Sequence, residues 1–399
     1  MSQVEQFQKW IKDVMSKVIK NLGSNVDEAR YDVLSDHIDY YTCDQCSVNI
    51  KFKNKNGHDE EQSIILKRPT HWEKLREINR IGYQFHNEIL FYKMYAQPGE
   101  NFARLFYADE QPPTDTVIAL ENLCQLGYRP CSYTHDVPLE YTLAAFREMG
   151  RFHAKGYVMK ERQREKFFDI VKQIREVRYD TAFQFKVFVD ITATRTVDYL
   201  RGHGYDAAFC DELEALLSNA FDKVMMKTVE PREPLSTLCH GDFTASNVLF
   251  KTDSDGQYRA ILVDFALITH STPVVDLSTY LCLCCSNKVR EDHFFDIMQA
   301  YHGSLKECLL EAGIWDAEKY SYEALLEDFR RGALFGFVIA SFWLAPLKGF
   351  YNGDIRETGA MDYFQRGEII KPLGGDEMSK ILADMLFHLR DLGCLKYYF

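Results

Sequence analysis

The sequence predicts an α+β protein of two lobes, a small one built on an antiparallel sheet with one key helix and a large, mainly helical one. Three observations carry that expectation. Alternating apolar residues and polar turns concentrate in the first part of the chain, apolar residues at helical spacing take over after residue 139, and a single hairpin interrupts the helical part near residue 250. The lobes are accordingly drawn at 1–123 and 124–399, joined by a connection at 120–123.

Composition narrows the class. A chain of 399 residues with 46% hydrophobic and 14% aromatic content has ample material for a core. Its net charge of −12, with no basic stripe to compensate, excludes a nucleic-acid partner. The polar start, Met1 to Trp10, is no secretory signal. The longest apolar run, 333–347, falls short of the roughly 20 residues of a membrane span and reads as a buried helix. Eleven cysteines, scattered and odd in number, indicate reduced thiols and a cytoplasmic location with no membrane partner. Cys43 and Cys46 have metal-type spacing but no second pair, and Cys282, Cys284 and Cys285 lie in an apolar segment where Cys acts as a small hydrophobe.

Along the small lobe, Val4, Phe7, Ile11, Val14, Val18 and Leu22 give an amphipathic first helix. Residues 40–52 read as a strand, a polar turn and a second strand with Val48, Ile50 and Phe52 on one face. A turn at Asn54-Lys55-Asn56-Gly57 leads to a strand at 62–67. Lys67 ends that strand, and Glu88 sits on the helix that follows. Alone, these are a solvated lysine and a surface glutamate; together they match a lysine that holds phosphates and a glutamate that fixes it. The strand 117–121 runs into Glu121-Asn122-Leu123, an ordinary strand end or a hinge whose backbone reads an adenine edge. The turn-rich 125–138 carries the chain into the larger lobe.

There, 139–154 places Leu143, Phe146, Met149, Gly150 and His153 on one helix face, with His153 read as a satisfied core residue. Residues 160–190 and 196–228 continue helically until Pro231 and Pro234. The centre of the chain is 238–250 followed by 261–265. Two strands, 248–251 and 258–263, flank Thr252 to Gln257, whose Asp255-Gly256 step signals a hairpin. Its open end brings Asn247 beside Asp264, and Asp242 lies on the loop that enters it. A proton acceptor, Asp242, and two oxygen ligands for Mg²⁺, Asn247 and Asp264, therefore converge, the order His-x-Asp-x-x-x-x-Asn…Asp of a phosphotransferase. The bland alternative is a polar loop beside a hairpin; the motif alone is short enough to arise by chance, and the hairpin makes the coincidence much smaller. His240 is expected to brace the loop. Asp276, near the start of the next helix, is read as a structural cap or anchor.

Cys239-His240-Gly241-Asp242 through Asn247, Val263-Asp264-Phe265 and Pro273-Val274-Val275-Asp276-Leu277 resemble the choline-kinase-like group, in its ecdysteroid kinase-like branch. Phe85-x-x-Glu88-Ile89-x-Phe91-Tyr92, Glu121-Asn122-Leu123 and Phe152-His153-Ala154 extend the likeness over about 35–310. The resemblance implies a bilobal protein-kinase-like fold, ATP and Mg²⁺ as cofactors, and a small-molecule hydroxyl as acceptor, steroid- or glycoside-like. On it, Asp242 is the catalytic base, Asn247 and Asp264 bind metal, Lys67 with Glu88 handles phosphates, and Glu121 and Leu123 bind the nucleotide. Gly241 and Ala266 stand where protein kinases have Arg and Gly, and no Gly-rich loop covers the phosphates: Thr42 to Cys46 occupies its place. Two other readings remain, a non-catalytic pseudokinase that binds nucleotide or a partner, and a metal-dependent hydrolase using His240, Asp242, Asp264 and His270, which leaves Lys67, Glu88 and Asn247 without a role.

Overall fold

The protein is described by a computed structural model over residues 3–22, 29–34, 38–39, 42–54, 56–180 and 184–399; Tyr40, Tyr41, Lys55 and the side chain of Val4 lie outside the described residues. Two compact units, Met1–Tyr128 and Arg129–Phe399, make up the chain.

In the first unit, β1 (Arg30–Val33), β2 (Ile38–Asp39), β3 (Cys43–Lys53), β4 (Asp59–Pro69), β5 (Leu105–Asp109) and β6 (Val117–Glu121) form an antiparallel sheet in the order β1-β3-β4-β6-β5, with β2 also on β3. The turn expected within 42–46 is absent. β3 is one continuous strand, paired with β4 from Cys43↔Pro69 to Lys53↔Asp59. The polar stretch is tolerated because Asp44 stands directly across from Arg68 and accepts its Nε–H on Oδ2 at 3.0 Å, a cross-strand ion pair inside the ladder. Cys46, Val48, Ile50 and Phe52 alternate onto one face, and helix α1 (Gln3–Asn21) covers it with Ile11, Val14, Met15, Val18 and Ile19. Ile64 and Leu66 of β4 share this core. The period of two therefore turns Lys67 to the opposite face, where α2 (Glu73–Ile78) is followed by α3 (Ile81–Leu90).

The second unit is mainly helical. It comprises α4 (Leu139–Arg162), α5 (Arg164–Gln173), α6 (Phe185–Ala193), α7 (Arg195–Gly202), α8 (Ala207–Leu217), α9 (Lys227–Val229), α10 (Val274–Cys284), α11 (Asn287–Glu311), α12 (Tyr322–Gly332), α13 (Leu334–Leu347), α14 (Ile355–Gly359), α15 (Tyr363–Ile370) and α16 (Gly375–Asp391). Two small sheets insert among them: β7 (Arg129–Pro130) pairs β9 (Val248–Thr252), which pairs β10 (Tyr258–Leu262), and β8 (Thr237–Cys239) pairs β11 (Thr269–Ser271). The apolar run 333–347 is α13, buried along most of its length, and Gly336 lets it approach α10 closely: a Cβ there would lie 2.1 Å from the Ser278 carbonyl oxygen. No described helix is long and apolar enough to cross a membrane.

The helical reading of 160–190 needs correction. α5 stops at Gln173, and 174–180 is irregular. Here the Glu176 carboxylate accepts the backbone N–H groups of Arg178 (2.7 Å) and Tyr179 (2.8 Å), so a side chain displaces the helical acceptors.

Candidate active site

The hairpin holds as the sequence reads it. β9 and β10 pair from Val248↔Leu262 to Thr252↔Tyr258, closed by a turn in which Asp253 N–H meets Gln257 C=O at 2.9 Å and Gly256 has φ +79°. At the open end Val263 N–H donates to Asn247 C=O at 3.0 Å, so Asn247 accepts the last bond and Asp264 follows its donor directly. The Asn247 amide donates to the Asp242 backbone carbonyl and to Asp242 Oδ2, both at 2.9 Å. With its NH₂ group so directed, Asn247 keeps its amide oxygen to offer a hard cation. Asp264 has φ +65°, a left-handed conformation that a non-glycine residue adopts only where its surroundings dictate it.

A buried carboxylate fixes the loop from behind. Asp276 accepts the N–H of His240 at 2.7 Å (Oδ2) and of Gly241 at 2.8 Å (Oδ1), while His153 Nε2–H donates to Oδ2 at 3.0 Å. His153 in turn accepts from the Tyr301 hydroxyl at 2.8 Å, and both His153 and Asp276 are fully buried. Cys239 also approaches this pair, but hydrogen bonds already account for the imidazole and the carboxylate. His240 donates Nε2–H to Val263 C=O at 2.9 Å and accepts Asp242 N–H on Nδ1 at 3.3 Å, the pattern of a neutral imidazole bracing both ends of the site. Gly241 has φ +77°, and a Cβ on it would fall 1.8 Å from the Leu267 carbonyl oxygen, so no other residue fits the loop.

The Asp242 carboxyl titrates above the ordinary range. Burial is the main cause and Asp264 adds to it, against the opposing pull of Arg178 and the Asn247 hydrogen bond. Arg178 is a member of the site that the sequence did not disclose. From the irregular 174–180 it donates Nη2–H to the Gly241 carbonyl, and its guanidinium lies over the Tyr179 ring at 5.2 Å. No local motif marks it; only its place ahead of the loop in the helical region, away from any regular face, sets it apart.

Within the first unit, Lys67 Nζ meets Glu88 Oε1 at 2.9 Å and Oε2 at 2.7 Å, with side chains 11% and 1% exposed. Glu121 ends β6, its N–H on Arg104 C=O at 2.9 Å and its carboxylate accepting Arg104 N–H at 3.3 Å. Asn122 then caps a 3₁₀ turn, Leu123–Leu126, accepting Cys124 N–H at 3.1 Å and donating to Ser63 Oγ at 3.1 Å. As the first residue of that turn, Leu123 has an N–H with no acceptor within it.

Among the described residues, His240, Asp242, Asp264 and His270 form no group close enough to share a metal ion. His270 lies on β11 against Phe167 and Phe168, with ring centroids at 5.6 and 5.8 Å, and Lys160 and Glu233 are the charges that act on it.

The ecdysteroid kinase-like family model matches residues 37–314. No curated protein matches the chain. Solved structures similar to it include the GDP complex of aminoglycoside 2'-phosphotransferase-IIIa, at 12% identity with a TM-score of 0.44, covering 95% of this chain and 99% of that one. A thermostable mutant of aminoglycoside phosphotransferase APH(4)-Ia with ADP and hygromycin B is 13% identical at a TM-score of 0.31, covering 82% of this chain and 97% of that one.

Proposed function

Because the chain belongs to the ecdysteroid kinase-like family, we propose that it is a small-molecule kinase. It transfers the γ-phosphoryl group of ATP, with Mg²⁺, to a hydroxyl of a steroid- or glycoside-like metabolite. The observation that carries this reading is the direct bond from Asn247 to Asp242 Oδ2 at the mouth of the hairpin that ends in Asp264. That bond orients the carboxylate and leaves its other oxygen to receive the proton of an acceptor hydroxyl as the new O–P bond forms. A carboxyl with a raised pKa is the better base for that transfer.

The Asn247 amide oxygen and the Asp264 carboxylate are hard oxygen donors and suit Mg²⁺. The chemistry such an ion supplies is neutralisation of charge on the phosphate oxygens. His240 and Asp276 hold the loop so that Asp242 meets the hydroxyl without reorganising. In the first unit, Lys67, fixed by both oxygens of Glu88, is assigned to the nucleotide phosphates, and the backbone at Glu121 and Leu123 to the adenine edge.

The test is incubation with MgATP and a metabolite extract, with mass-spectrometric detection of phosphorylated products. Asp242→Asn keeps the side-chain shape and is expected to lower product formation by roughly a thousandfold or more, with the fold intact by circular dichroism. Products that persist unchanged in that variant would remove Asp242 from the base role. Nucleotide binding without any product would turn the reading to a non-catalytic binder.

A further inference from the structure

Tyr179 is 8% exposed, yet its hydroxyl has no hydrogen-bond partner among the described residues. A buried tyrosine normally finds a partner for its O–H, and one left unpaired is a feature that folding alone does not favour. Its placement is nevertheless well determined. The backbone N–H is held by Glu176 at 2.8 Å, the ring packs on Phe335 of α13 at 6.0 Å, and Arg178 lies over the ring while donating to the carbonyl of Gly241, the residue before Asp242. Burial, together with the carboxylates of Glu176, Asp242 and Asp276, keeps the phenol protonated, so it stands as a donor beside the loop.

We propose that Tyr179 is the acceptor-reading residue of this site, its hydroxyl donating to a second oxygen of the molecule whose hydroxyl is presented to Asp242. The inference rests on the phosphotransferase reading and narrows its substrate class. The acceptor carries another hydroxyl, ether or carbonyl oxygen close to the phosphorylated position. A simple mono-alcohol lacks the group that would pair the buried donor, and a site built around a hydrogen bond discriminates strongly against such an analogue.

The experiment compares wild type with Tyr179→Phe, which removes one oxygen and keeps the ring. With MgATP and a dilution series of metabolite extract, the variant is expected to yield at least tenfold less product at limiting extract, with the KM for ATP unchanged. Its Tm without ligand is expected to equal or exceed that of wild type, because the lost hydroxyl has no partner among the described residues. A fall of several degrees in Tm would show that the hydroxyl serves the structure, and equal product yield across the series would show that it does not meet the acceptor. Either overturns the proposal, as would wild-type products that carry no second oxygen near the phosphate. Absence of product from wild type would instead count against the phosphotransferase reading itself.

Discussion

Asp276 directs its carboxylate at one loop from inside the core, and this is where a single residue matters most to the geometry of the site. It receives two consecutive backbone N–H groups and the His153 imidazole, at a position with no solvent access to replace them. Asp276→Ala would strand all three donors in the interior. The expected loss is roughly 3–5 kcal/mol, since stranded buried donors lose their full desolvation energy. Asp276→Asn keeps one acceptor oxygen and is expected to lose less. Urea unfolding at neutral pH checks both, and an alanine variant as stable as wild type would mean that the loop finds other acceptors. The sequence marks Asp276 as an anchor, but its double engagement with His240 and Gly241 needs the three-dimensional fold, because the donors lie 36 and 35 positions away.

At the scale of elements, the β8–β11 pair carries a pH dependence of its own. Burial, and after it the nearby Lys160, holds the His270 imidazole down to about 4, with Glu233 partly opposing. In the unfolded chain a histidine titrates near 6.5, so between pH 6.5 and 4 the unfolded state binds a proton that the folded state refuses. This contribution is therefore fully present above pH 6.5 and is lost as the pH falls toward 4. Its size is about 1–3 kcal/mol once partial solvent screening is allowed for. Urea unfolding of wild type and His270→Phe at pH 7.5, 5.5 and 4.5 isolates it, because other titrations, such as the Asp328 carboxyl that burial lifts to about 6, are common to both proteins. A shallower decline is expected in the variant; identical declines would assign the dependence elsewhere. Elements were legible in the sequence where the signal is local. The hairpin follows from alternation around Asp255-Gly256, and α1 from apolar residues at helical spacing. They were illegible where a distant or unexpected partner decides. The continuous β3 depends on Arg68 neutralising Asp44 from the facing strand, and the break after α5 depends on Glu176, a good helix former that here satisfies backbone groups instead.

Across the whole molecule, each unit holds its own candidate groups on its own scaffold, a buried ion pair on a sheet and a helix in the first, and a hairpin mouth with its braced loop in the second. The ion pair makes stability and function separable. Lys67→Met removes both bonds to a carboxylate that is 1% exposed, and breaking a buried pair from one side is expected to destabilise by about 3–5 kcal/mol. Replacing both partners by apolar side chains of similar volume, Lys67→Met with Glu88→Leu, removes the buried carboxylate as well, and most of that stability is expected to return. Phosphorylated product is not, because the ammonium group assigned to the phosphates is absent from both variants. Denaturant unfolding followed by the MgATP product assay on the single and double variants reads the two quantities side by side. A double variant that regains activity would dissociate Lys67 from the phosphates. One that stays as unstable as the single variant would mean that the pair holds the first unit together through geometry that apolar packing does not reproduce.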